Sequence, residues 1–210
     1  MPATPDDIER LRDLMQRHCF QYGEFKLSAG GTGKYYYNGK IVTLRPSGAA
    51  LIGEALVDLV LASGAEAVGG PALGAVPIAM AVGLASQSRG RDLPVFVVRM
   101  EQKQHGAKDL IAEPYSDDDA AVVTKGRRIA IVEDAITTGG SVRQALSAVE
   151  ELGAEVTLVA VLVERHEGGG DKLRADGYDV VSLFRTDEDG KLTINESFLE
   201  RLAAAQAATT

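Results

Sequence analysis

Cysteine occurs once in this chain, at Cys19. A single thiol excludes any disulfide within the chain, and nothing around Cys19 marks it as an activated nucleophile. It reads as a small core residue within a helical pattern. Basic charge is also scarce: 22 Lys and Arg face 30 Asp and Glu, for a formal net charge of −8. That balance argues against a broad nucleic-acid footprint, which needs a basic face, while leaving room for a local cationic pocket. No apolar run is long enough to span a bilayer, and the N-terminal residues are polar and acidic rather than signal-like. These absences predict no nucleic-acid partner, no membrane partner and a cytoplasmic location. What is present is 210 residues, 45% hydrophobic and 25% charged, enough for one well-covered α/β domain with a small appendage.

Strand and helix patterns alternate along that length. Thr4 caps a predicted helix with Pro5 at its first position and Asp6 and Asp7 in its first turn, running to about Cys19. Residues 24–28 and 34–38 read as two short strands around a glycine-rich turn. Pro46-Ser47 starts a helix that continues over Ala49 to Ala62 and closes at Gly64. A strand at Ala67 to Gly69, a buried helix at about Ala75 to Ala85 and a strand at Pro94 to Val98 follow. Residues 100–125 carry many charges and no sustained period, and read as a long exposed loop. After it come a strand at Ile129 to Val132, a helix to Leu152 closed by Gly153, and a strand at Val156 to Val163. Asp179 to Phe184 reads as the last strand and Glu196 to Ala204 as a terminal helix. Such alternation, with strands that read as buried, predicts a doubly wound, mostly parallel α/β sheet flanked by helices. Ligands in such sheets bind beyond the carboxyl ends of the strands.

One of those ends carries chemistry. Ile129-Ala130-Ile131-Val132 leads into Glu133-Asp134, then Ala135-Ile136-Thr137-Thr138-Gly139-Gly140-Ser141, then a helical pattern from Val142. Loop amides and a helix N-terminus hold anions, and Gly139 and Gly140 let the backbone approach one closely. Paired carboxylates beside them suit sugar hydroxyls or a metal, so a phosphorylated ribose fits. Gly30-Gly31-Thr32-Gly33-Lys34 superficially resembles a nucleotide-binding P-loop. Ser28 and Tyr35 stand where that motif needs Gly and Ser or Thr, and a strand pattern follows where a helix is required, so it is rejected.

The acidic pair with its Thr/Gly/Ser loop closely resembles the signature of the type I phosphoribosyltransferases, and other segments resemble the orotate-specific members. Arg99-Met100-Glu101-Gln102-Lys103-Gln104-His105-Gly106 is similar to their catalytic loop. Tyr22 to Gly30 followed by Lys34-Tyr35-Tyr36-Tyr37 is similar to their N-terminal hood. Gly69-Gly70-Pro71-Ala72-Leu73-Gly74 resembles their pyrophosphate loop, and Arg165 follows the Val156–Val163 strand. The likeness covers about residues 20 to 170.

The resemblance implies an orotate phosphoribosyltransferase that makes orotidine 5′-monophosphate and pyrophosphate from phosphoribosyl pyrophosphate (PRPP) and orotate, in pyrimidine synthesis. Glu133, Asp134, Ala135, Ile136, Thr137, Thr138, Gly139, Gly140 and Ser141 would bind PRPP, with Ala72 and Leu73 on its pyrophosphate. Arg99, Lys103 and His105 would serve catalysis and bind the leaving group, Lys103 as main charge stabiliser. Thr137, Arg165, Lys26, Tyr36 and Tyr37 would meet orotate, Arg165 pairing with its carboxylate. Mg²⁺ would be carried mainly by the substrate. The implied assembly is a homodimer with shared active sites, in which a mobile loop of about 100–120 crosses to the neighbour. The implied layout is a hood over 1–45, a transferase core over 46–185 and a packed tail over 186–210. Met100, Leu73-Gly74 and Ser28 stand where many family members carry a basic residue, Tyr-Lys and Lys, leaving Lys26 or Lys34 to supply the hood cation. A transferase of the same fold acting on purine or another base, and a nucleotide-sensing RNA-binding regulator, stand as alternatives.

Overall fold

The run Ile129 to Val132 is apolar at every position because it is covered on both faces. Ala130 and Val132 enter one hydrophobic core, whereas Ile129 and Ile131 enter another. A strand alternates its side chains, so two cores on one strand mean helices above and below the sheet. The computed structural model describes residues 2–26, 32–100, 110–112 and 121–209. Its central sheet contains β3 (Ala67–Pro71), β4 (Val95–Val98), β5 (Ile111–Ala112), β6 (Arg128–Ile136), β7 (Glu155–Glu164), β8 (Val180–Thr186) and β9 (Leu192–Ile194). Their order is β5-β4-β3-β6-β7-β8-β9. The pairs β4–β3, β3–β6, β6–β7 and β7–β8 are parallel, and the two short edge strands are antiparallel. A mostly parallel, doubly wound sheet is therefore the observed architecture.

α1 (Pro5–His18), α3 (Pro46–Ala62), α4 (Ala75–Gln87) and α7 (Glu196–Thr209) bring Leu11, Leu56, Ile78 and Phe198 to the first core. α5 (Gly140–Glu150) and α6 (Gly169–Ala175) bring Leu146 and Leu173 to the second. The N-terminus of α1 is fixed as its sequence predicts. The Thr4 hydroxyl accepts from the Asp7 amide while the Asp7 carboxylate accepts from the Thr4 amide. A cap of this kind contributes about 1 kcal/mol. Cys19 follows the helix and is buried, and burial pushes its thiol up to about 11, which leaves it inert near neutrality.

Four local expectations are corrected. The hairpin strands are β1 (Phe20–Lys26) and β2 (Thr32–Tyr37), displaced toward the N-terminus because Phe20 and Tyr35 anchor them in the core. The segment 100–125 is not wholly exposed: Leu110 and Ile111 are buried as β5 joins the sheet edge, and Val122 and Val123 are buried as well. Residues 101–109 and 113–120, including Lys103 and His105, lie outside the described residues. Asp179–Phe184 is not the last strand, since β9 returns beside β8. The short helices α2 (Lys40–Thr43) and α6 sit in segments whose glycines and brevity hid them.

Candidate active site

At the carboxyl end of β6 the chain makes a left-handed turn at Gly139, with φ of +84°, and enters α5. An L side chain resists that φ, so glycine is needed here for conformation. The turn leaves the first amides of α5 without helical partners and points them outward with the positive end of the helix dipole. Thr137 is half-buried, and Thr138, Gly140 and Ser141 are exposed at this mouth. Ile136 is buried in the second core and Ala135 packs on the first, so these two can offer a ligand backbone groups only. The turn rests on α6: the Gly169 amide donates to the Thr137 carbonyl at 2.9 Å. A Cβ at Gly169 would stand 2.3 Å from that oxygen.

The two carboxylates do not stand at a surface strand end, as the sequence suggests; both lie within β6, and Glu133 is buried. Its Oε1 accepts from the Asp134 amide at 3.0 Å and its Oε2 from the Ser141 hydroxyl at 3.1 Å. Burial, then the neighbouring Asp134 charge, push Glu133 up to about 8. Asp134 is only half-buried and faces Gly74, where a Cβ would stand 2.6 Å from Asp134 Oδ1. A side chain at Gly74 would therefore have to displace the Asp134 carboxylate. Ala72 and Leu73, which precede Gly74 and are joined by a cis peptide bond, lie beyond β3, with Leu73 exposed.

The hairpin β1–β2 supplies the third wall. Tyr35 and Tyr37 point to one face and Tyr36 to the other, where it is exposed beside Phe25. The expected pair Tyr36 and Tyr37 is thus split by strand alternation. Tyr37 Oη donates to the Asp134 carbonyl at 3.4 Å. Burial holds the Tyr37 phenol well above its usual range, the Asp134 charge adds to this, and the Arg165 charge opposes it. Tyr37, Asp134 and Arg165 therefore share one electrostatic neighbourhood. Arg165 follows β7 and lies over the Tyr35 ring at 4.8 Å, a cation–π contact. Its Nη2 is 2.9 Å from Glu167 Oε1.

Of the candidate hood cations, Lys34 pairs with Asp189 at 2.6 Å on an exposed edge, and the side chain of Lys26 is not described. Arg99 follows β4, and its amide donates to the Leu110 carbonyl at 2.7 Å. The Met100 carbonyl accepts from the Gln144 side chain at 3.1 Å. Sequence reasoning missed Tyr35 as the ring beneath Arg165 and Glu167 as its counter-ion. The spacing Arg-x-Glu was the available signal for Glu167. Among the described residues no group of three or more His, Cys, Asp or Glu is placed to hold a metal. Nor is any described helix long and apolar enough to cross a membrane.

The chain is similar to known proteins. The family described as phosphoribosyl transferase domain matches residues 46–188. The chain is 38% identical over 183 residues to an orotate phosphoribosyltransferase of Rhodopirellula baltica, covering 84% of this chain and 91% of that protein. Among solved structures it is similar to Mycobacterium tuberculosis orotate phosphoribosyltransferase in complex with Fe(III) dicitrate. There the TM-score is 0.73 and the identity 35%, over 88% of this chain and 99% of that one. A structure of the M. tuberculosis enzyme in complex with PRPP matches at TM-score 0.68 and 29% identity, over 89% of this chain and 93% of that one.

Proposed function

The chain belongs to the orotate phosphoribosyltransferase family of phosphoribosyl transferase domains, and on that premise we propose that it transfers ribose 5-phosphate from PRPP to orotate. The products are orotidine 5′-monophosphate and pyrophosphate, the transfer step of de novo UMP synthesis. The observation that carries this reading is the anion cradle capped by Gly139, set beside the acidic pair and within the electrostatic reach of a half-buried arginine. A sugar phosphate and a carboxylated base are the two halves of a substrate pair that such a pocket would fit.

The amides of Thr137 to Ser141 and the α5 dipole hold the 5′-phosphate. Asp134 meets the ribose hydroxyls, while Glu133, both of whose oxygens are engaged, braces the loop. Backbone at Ala72 and Leu73 holds pyrophosphate. Arg99, Lys103 and His105 stabilise the charge that grows on it as the bond to the anomeric carbon breaks. Thr137 and Tyr37 line the base side, where Lys26 is the candidate cation, with Arg165 on the orotate carboxylate. Residues 1–45 act as the hood, 46–185 as the transferase core and 186–210 as a packed tail.

Mg²⁺ would be carried mainly by PRPP and would screen its phosphate charge, with Asp134, beside the buried Glu133, as the carboxylate that would help hold it. Substrates this highly charged are retained inside cells, which places the enzyme in the cytoplasm. The exposed Met80 and Leu84, one helical turn apart on α4, present an apolar face suited to a homodimer. In that dimer Lys103 and His105 serve the neighbouring site.

A base-specificity assay tests the proposal: PRPP and Mg²⁺ with orotate, adenine, guanine, hypoxanthine or uracil. Orotate should be consumed and the others spared; turnover of a purine with orotate untouched would overturn it. Mixing inactive Lys103→Ala and Asp134→Asn protomers tests sharing. One site of a mixed dimer then carries neither defect, so activity should partly return.

A further inference from the structure

Arg165 is incompletely satisfied in a way that points to a ligand. Its side chain is 14% exposed, its ring-facing side covers Tyr35, and its backbone amide is fixed on the Ile136 carbonyl. Nε and Nη2 form one edge of a guanidinium, the edge that a carboxylate grips with two parallel hydrogen bonds. Here Glu167 takes only Nη2, at 2.9 Å, while Nε is buried with no partner. Glu167 is no better served, since its Oε2 is also buried without a hydrogen-bond partner. The pair is therefore joined through one contact where two are possible, and each member leaves a buried atom unmatched. Such atoms cost free energy until something satisfies them.

We infer that Glu167 is a displaceable stand-in for the substrate carboxylate, keeping Arg165 aimed until substrate binds and yielding Nη2 when orotate arrives. This rests on the orotate reading above. Orotate's carboxylate would take Nε and Nη2 together, satisfying the orphaned donor that Glu167 leaves. The freed Glu167 has His166 Nδ1 nearby, 3.8 Å from its Oε2 in the present arrangement. Glu167 is then a specificity-determining residue. A base without a carboxylate cannot repay the loss of the Arg165–Glu167 contact and is rejected, whereas orotate replaces the contact with a better one. The same competition lowers the apparent affinity for orotate by the fraction of sites in which Glu167 is seated.

The test compares wild-type enzyme with Glu167→Gln and Glu167→Asp, measuring KM for orotate and for PRPP separately, with uracil as a base lacking the carboxylate. Glu167→Gln should lower the orotate KM by about three- to tenfold with the PRPP KM unchanged, and should narrow the preference for orotate over uracil. Glu167→Asp, whose shorter side chain keeps the charge, should fall between. A crystal structure of wild-type enzyme with orotate supplies a readout independent of mutant folding. There Arg165 Nε and Nη2 should both contact the orotate carboxylate, and Glu167 should have left Nη2. An orotate KM that is unchanged or raised in Glu167→Gln, or a Glu167 still seated on Nη2 beside bound orotate, would overturn the inference while leaving the transferase reading intact. Wild-type enzyme that takes no orotate would overturn that reading, and the inference with it.

Discussion

Glu133 on β6 and Glu164 on β7 are the same residue type, on adjacent parallel strands, with side chains hidden to the same degree: 4% and 6% exposed. They titrate in opposite directions. Glu164 receives Arg174 Nη1 and Nη2 at 2.7 Å each and the Ser182 hydroxyl at 2.8 Å, with Arg185 Nε at 3.7 Å. Burial works against its charge, but the Arg174 and Ser182 hydrogen bonds outweigh it and hold the carboxyl below its ordinary value. Glu133 has a hydroxyl and an amide but no cation partner among the described residues, and a second carboxylate beside it. Equal burial thus gives a permanent anion in one place and a carboxyl poised near neutrality in the other. The difference lies in the cation that Glu164 has beside it and in the second carboxylate that Glu133 has instead.

The widest separation between the two centres should appear in turnover. Lys103→Ala, on the transfer side, should lower kcat by about 10²–10³-fold, in the range for one donor to a developing anion. Its substrate binding and melting temperature should stay near wild type, which steady-state kinetics and calorimetry would check. Arg174→Ala should do the reverse. Stripping the cation from Glu164 should cost about 3 kcal/mol of unfolding free energy, at the low end for a buried pair because Arg174 is partly exposed. Urea titration would measure this, and the variant that remains folded should keep its kcat within a few-fold.

pH should reveal the same contrast next. Glu133 is raised in the fold, so its stabilising contribution is complete below about pH 4.5 and is lost as pH rises through about 8. Glu164 is lowered, so its contribution is present above its unfolded value and is lost as pH falls through its folded one. Unfolding free energy measured against pH should therefore decline between about pH 4.5 and about 8, the alkaline limb of the stability curve, with a slope approaching about 1.4 kcal/mol per pH unit. Glu133→Gln should flatten that decline and leave the acid limb alone. A wild-type curve without an alkaline limb would break the comparison. The mildest test removes one hydroxyl from each centre. Ser141→Ala and Ser182→Ala should each cost about 1 kcal/mol or less. Ser141→Ala should also move the alkaline limb upward in pH, while Ser182→Ala leaves that limb in place.

This contrast was half visible in the sequence. The β6 run, the acidic pair and the glycine-capped helix are contiguous, so their pattern announced both the strand and the chemistry. The Thr4–Pro5–Asp7 start of α1 was equally local. The Glu164 centre was not, because Arg174 comes from a seven-residue helix opened by glycines and Ser182 from the next strand. Nothing in the spacing of Glu164, Arg174 and Ser182 brings them together before the sheet does. The separation of Tyr36 from Tyr37 was hidden for a related reason: adjacent aromatics suggest one surface until β2 alternates them. The burial of Glu133 was concealed because strand pairing with β7 runs on past the acids to Ile136, whereas hydrophobicity stops at Val132.

The bond from the Gly169 amide to the Thr137 carbonyl ties the turn proposed to receive phosphate to the helix anchored by Arg174. With Gly169 packed too tightly for even a methyl group, neither segment can open without disturbing the other. They form one cooperative unit of local unfolding. The Gly169 amide should therefore exchange with solvent deuterium at a rate set by the Glu164–Arg174 pair. Arg174→Ala would speed that exchange, loosening the phosphate cradle from a distance, and bound PRPP would slow it again.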